Sequence, residues 1–145
     1  MRILIANDKF KGALAAEKVG FHIQNSLKAA FPEAVFDLCP IADGGEGTAL
    51  AMTTALAGEW VETATIDAQG RPRQAAFGWV PGSATAIMEM SAASGLALVL
   101  DRELNPMSAS TLGTGILLRS ALEKGARRVL LGIGGSATND GGLGV

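Results

Sequence analysis

Two periods of apolar residues alternate along this chain. Ile3-Leu4-Ile5-Ala6 is a continuous apolar run and predicts a buried parallel strand close to the start. Val19, Ile23, Leu27 and Phe31 then recur every four residues, which predicts a helix over 15–31 that ends at Pro32. A second strand is expected over 34–39, followed by a glycine-acid loop and an alanine-rich helix reaching about residue 57. Beyond Gly58 the period drops to two. Residues 60–66 and 73–80 alternate around the turn Asp67-Ala68-Gln69-Gly70-Arg71-Pro72, the signature of an antiparallel hairpin. Residues 84–90 predict a third strand and Ser91–Leu96 a tight turn, and Asn105-Pro106 breaks the chain. Leu112–Lys124 predicts a helix stopped by Gly125, and 126–131 a final strand.

This order predicts an α/β protein. Parallel strands are expected in 1–58 and 105–145, with 59–104 as part of a different, β-richer unit. The helix over 112–124 carries Gly113 and Gly115 in its first turns, against helix propensity, which suits either close packing or close ligand approach.

Composition narrows the function classes. Net charge is −2 with no basic block, so there is no electrostatic footprint for nucleic acid. Cys39 is the single cysteine, which rules out an internal disulfide and reads as a small buried residue. His22, the single histidine, has no placed partner in sequence and reads as structural. No apolar stretch reaches the ~18 residues of a membrane span, and the first apolar run is too short for a signal peptide, so a soluble cytoplasmic protein is expected. The 19 glycines cluster in loops.

Three of those loops follow predicted strands, the position where open α/β sheets bind ligands. Asn7-Asp8-Lys9-Phe10-Lys11-Gly12 brings together one carboxylate and two ammonium groups. Lys9 and Lys11 suit negative charge on a substrate or phosphoryl group, with Asp8 to orient a hydroxyl or act as base. Solvated lysines in an ordinary loop are the plain alternative. In Ala42-Asp43-Gly44-Gly45-Glu46-Gly47-Thr48 two hard carboxylates flank glycines. Asp43 and Glu46 suit Mg²⁺, and both also suit a helix N-terminus. The third loop holds five glycines in the eleven residues from Gly132 to Gly142. Gly134, Gly135, Ser136, Thr138, Asn139 and Asp140 there could form an anion nest with hydroxyl donors and a carboxylate.

In this order and spacing the three loops resemble those of the bacterial glycerate kinase family of the first type. Glu89-Met90-Ser91-Ala92-Ala93-Ser94-Gly95-Leu96 and Asn105-Pro106 resemble that family's intervening segments. The resemblance runs along the whole chain. Ala13 and Ala15 depart from it, standing where the family often has serines. Family members are much longer, so the resemblance implies that this is the N-terminal portion of a two-domain α/β enzyme and is inactive alone, with 1–58 and 105–145 as the Rossmann-like parallel-sheet portion and 59–104 as a β-rich segment of the second α/β domain. It also implies ATP and D-glycerate as substrates, Mg²⁺ as cofactor and a phosphoglycerate product (usually the 2-phospho isomer). From the chemistry of the loops themselves, Asp8, Lys9, Lys11 and Asp43 are the expected catalytic residues. Gly44, Gly45, Glu46 and the third loop would bind substrate or phosphate, and Asp43 and Glu46 would hold the metal. The oligomeric state is left open.

Two other readings stand beside it. Gly132-Ile133-Gly134-Gly135-Ser136-Ala137 fits the G-x-G-x-x-A pattern of nicotinamide-dependent oxidoreductases, although Thr138–Gly144 is poor helix sequence. A non-catalytic small-molecule-binding module would need only the pocket. A Walker-type NTPase is excluded, because no GxxxxGK[ST] occurs.

Overall fold

The computed structural model describes residues 1–10, 12–100 and 104–145. The chain is α/β and divides into two compact units, Met1–Asp43 and Gly44–Val145.

The first unit contains strand β1 (Arg2–Ile5), helix α1 (Ala16–Ala30) and strand β2 (Val35–Leu38). β1 and β2 pair in parallel, with Arg2 opposite Val35 and Ile5 opposite Leu38. The expectation of a buried first strand is corrected here. Ile5 and Val19 are buried, whereas Leu4 is 64% exposed and Phe21, Ile23, Val35 and Leu38 are also open. Two strands and one helix leave an apolar stripe without a second layer inside the unit. Cys39 is exposed rather than buried, for the same reason.

The second unit contains α2 (Thr48–Ala55), β3 (Glu59–Ile66), β4 (Pro72–Val80), β5 (Thr85–Glu89), the short helix α3 (Ser91–Ser94), α4 (Leu112–Glu123) and β6 (Arg128–Gly132). Its sheet runs β3-β4-β5-β6, antiparallel as far as β5 and parallel between β5 and β6. The alternation along β4 sorts the layers. Phe77 and Trp79 join Met88, Leu117 and Ala121 in one core. Gly78 between them turns to the opposite face, where a Cβ would lie 1.7 Å from Thr53 Oγ1 of α2. The sheet is therefore covered by α4 on one side and by α2 on the other.

In this chain residues 105–145 lie in the same unit as 59–104, a different division from the sequence-based one. The reason is topological: α4 is the crossover that parallel pairing requires, and it delivers β6 to the open edge of β5. The glycines of α4 serve packing. A Cβ on Gly113 would meet the Ile66 carbonyl oxygen at 2.0 Å, and one on Gly115 would meet the Gly144 carbonyl oxygen at 2.8 Å. Ser91–Ser94, expected as a tight turn, is one buried helical turn instead. The Ser94 hydroxyl hydrogen-bonds that of Thr114 at 2.9 Å, so α3 is tied to α4.

Candidate functional site

In the second unit, β5 and β6 end side by side, with Glu89 paired in register with Gly132. Past these carboxyl ends the Gly44–Gly47 loop meets the Gly132–Gly135 loop, backbone against backbone. The Gly134 amide donates to the Gly44 carbonyl at 2.9 Å. A Cβ on Gly132 would lie 2.5 Å from that same carbonyl oxygen, and one on Gly134 would lie 2.8 Å from the Gly45 nitrogen. These two glycines are needed for close approach. Gly47 and Gly135 are needed for conformation, since both have positive φ, +97° and +72°. Glu46 reaches the second loop: its Oε1 sits 2.6 Å from where a Gly135 Cβ would be. The structure thus brings Gly44, Gly45, Glu46, Gly134 and Gly135 together.

The amides of the expected nest divide into two groups. Gly134 donates to Gly44, Ala137 to the Ser94 carbonyl at 2.8 Å, and Thr138 to Ser136 Oγ at 3.1 Å. Among the described residues no acceptor takes the amides of Gly135 and Ser136. The Ser136 and Thr138 hydroxyls hydrogen-bond each other at 2.8 Å. Asn139 is exposed. Asp140 turns away to α4: it accepts from the Thr111 amide at 2.8 Å, the Thr111 hydroxyl at 2.9 Å and the Gly142 amide at 3.1 Å. The Thr111 amide holds its carboxyl below the usual carboxylate range, with help from the Thr111 hydroxyl and the Gly142 and Gly144 amides, against a smaller desolvation effect. Asp140 thus caps α4 and ties the loop down.

The first unit holds a separate cluster. Lys9 Nζ lies 3.9 Å from Asp8 Oδ1 and 3.9 Å from Asp43 Oδ1, with its side chain only 15% exposed. Asp8 Oδ1 also accepts the Lys9 amide at 2.6 Å. Asn7 fixes this loop from behind by donating to the Asp8 and Ala16 carbonyls at 3.2 and 2.8 Å. A shallow depression beside it is lined by Lys9, Phe10 and residues 12–15. Lys11 lies outside the described residues. His22 is exposed on α1, edge-on to the Phe21 ring.

Glu89 was not among the candidates read from sequence. It is half-buried, accepts from the Gly47 amide at 3.3 Å and the Ser91 hydroxyl at 3.1 Å, and sits between the two glycine loops. The signal for it was a carboxylate closing an otherwise apolar strand. After β6 the chain continues in turns through Gly144 with no helix start, unlike the loop-to-helix junction of a dinucleotide fold.

Comparison with known proteins adds to this geometry. The model of the glycerate kinase family matches residues 3–145. The chain belongs to the glycerate kinase family. It is 45% identical over all 145 residues to the glycerate kinase of Bacillus subtilis strain 168, and 42% identical to the glycerate 2-kinase of Escherichia coli K12. A crystal structure from Salmonella typhimurium LT2, described as that of a glycerate kinase 2, superposes with a TM-score of 0.80 at 41% identity over 99% of this chain. The chain spans about 38% of the length of these relatives. Among the described residues no helix is long and apolar enough to cross a membrane.

Proposed function

We propose that the protein containing this chain transfers the γ-phosphoryl group of ATP to D-glycerate, forming phosphoglycerate, with the 2-phospho isomer as product. One observation carries the reading: the chain matches the glycerate kinase family from end to end, and its strand-end glycine loops meet with a carboxylate between them. Phosphoryl transfer depends on positioning and charge stabilisation, which such loops provide.

In this reading the Gly135 and Ser136 amides and the Ser136 and Thr138 hydroxyls take an anion, either phosphate or carboxylate. Gly44, Gly45, Gly134 and Asn139 shape that surface, and Asp140 holds it to α4. Lys9 and Lys11 face negative charge on the substrates. Asp8 and Asp43 orient Lys9, and Asp8 is the candidate to take the hydroxyl proton. Mg²⁺ characteristically takes one or two protein carboxylates plus phosphate oxygens and water, and the hard carboxylate oxygens of the Asp43–Glu46 loop are donors of that kind. Asp43 and Glu46 are the carboxylates to hold it, and when bound it neutralises phosphate charge. The work is that of a soluble cytoplasmic enzyme on small molecules, without nucleic acid.

The test is ADP release by the complete protein with ATP, Mg²⁺ and D-glycerate, with the phosphorylated position read by NMR. Turnover is expected, and the isolated 145 residues should be silent. Absence of ADP, or nicotinamide reduction by the same protein, would overturn the reading. Asp43→Asn should lower kcat by about 10²-fold, the scale of one lost electrostatic contact; unchanged kinetics at limiting Mg²⁺ would remove Asp43 from the site.

A further inference from the structure

α2 begins without a cap of its own. Its N-cap residue is Gly47, which has no side chain and sits at φ +97°. The Thr48 hydroxyl faces backward and accepts from the Gly44 amide at 3.1 Å. The Thr48 amide donates to the Gly45 carbonyl at 3.1 Å, which leaves the Gly47 and Ala49 amides to take an acceptor from elsewhere in the fold. Glu89 provides it from the end of β5. One carboxylate oxygen accepts from the Gly47 amide and the other from the Ser91 hydroxyl.

Several features fix Glu89 in that place. It closes β5 in register with Gly132, the residue whose missing side chain admits the Gly44 carbonyl. The Met90 amide donates to the Gly132 carbonyl at 2.8 Å, which locks the chain just past it. Burial raises the Glu89 carboxyl above the usual range, with a smaller push from Glu46, while the Gly47 amide, the Ser91 hydroxyl and the Ala49 amide pull it back.

We propose that Glu89 is a positioning residue: its carboxylate caps α2 through space and thereby holds the Gly44–Gly47 loop, with Glu46, against Gly132–Gly135. A carboxylate already at this helix end also keeps an incoming anion off the α2 amides and directs it to the Gly135–Thr138 loop. The catalytic consequence rests on the kinase reading above; the cap itself does not.

Two side chains separate geometry from charge. Gln keeps the length, with an oxygen for the Gly47 amide and an NH₂ for the Ser91 hydroxyl. Asp keeps the charge and is one methylene short. In the complete protein Glu89→Gln should retain kcat/KM within about threefold of wild type, because both contacts survive. Glu89→Asp should lose about 10²-fold, the scale of a ~1 Å misplacement, mostly in kcat. Hydrogen exchange at the Gly47 and Ala49 amides should speed up in Glu89→Asp and stay as in wild type in Glu89→Gln. A Gln variant that loses more than about tenfold while the Asp variant keeps its rate would overturn the proposal, because charge at this position would then be doing chemistry. Unchanged exchange in Glu89→Asp would overturn it as well. If the wild-type protein fails to phosphorylate glycerate, the kinase reading falls, and the exchange experiment still decides the cap.

Discussion

The two units of this chain are built from the same kinds of segment and end in different physical states. Residues 1–43 make strand, helix and parallel strand, and bury little beyond Ile5 and Val19. Residues 44–145 surround a four-stranded sheet and bury Phe77, Ile87, Met88, Val99 and Leu117 almost completely. A helix with a good apolar stripe closes a core only when a second layer faces it. In the second unit α2 and α4 give the sheet that layer on both faces. In the first unit the stripe of α1 has one strand pair to lie on, and Phe21, Ile23 and Phe31 remain open.

The strongest way to break this comparison is a pair of ring truncations. Phe77→Ala should destabilise the chain by about 3–5 kcal/mol, as for a fully buried aromatic. Phe21→Ala, at a 54% exposed ring, should stay within about 0.5 kcal/mol. Urea midpoints at constant m-value measure both, and similar losses would erase the distinction between the units.

The next effect belongs to the β3–β4 turn. Asp67 is buried and accepts from the Gln69 and Arg71 amides at 2.8 and 3.0 Å, and from the Arg71 guanidinium. Desolvation alone would raise its carboxyl, but the Arg71 and Gln69 contacts outweigh it and hold the carboxyl below the usual range. With the folded value lowered, the stabilisation is complete above the unfolded value near ~4 and is lost as pH falls through the folded value. Asp67→Asn should therefore cost roughly 1.5–3 kcal/mol at neutral pH, the worth of hydrogen bonds to a charged group. The difference from wild type should shrink on acidification; a difference that stays constant down to pH 3 would contradict the assignment.

Gly113→Ala should cost roughly 1–3 kcal/mol through overpacking, since the new Cβ has to displace α4 from the Ile66 carbonyl. A neutral result would mean that α4 is not seated against the end of β3. The smallest effect is expected in the first unit. Arg2 and Asp37 pair on its surface at 2.6 Å, and the Arg2 contact lowers the Asp37 carboxyl. Exposed pairs of this kind contribute little, so Arg2→Ala should leave the urea midpoint unmoved.

Much of this protein is determined by local sequence. The period-four stripe from Val19 to Phe31, the alternating hairpin around Asp67–Pro72 and the Gly125 stop each specify an element through side-chain geometry along a few turns or strand pairs, and each element appears in place. The three polar stretches were also legible as loops, because glycines, hydroxyls and carboxylates directly after apolar runs end a strand. Tertiary structure alone decided which glycine serves conformation and which serves contact: Gly135 needs its positive φ, whereas Gly132, Gly134 and Gly113 are demanded by a distant carbonyl or amide. It also decided that Asp140 caps α4, that Cys39 is exposed and that Glu89 reaches the start of α2 from 42 residues away. Local periodicity carries no record of which backbone atoms will arrive from elsewhere in the chain, and at each of these positions the partner comes from another element.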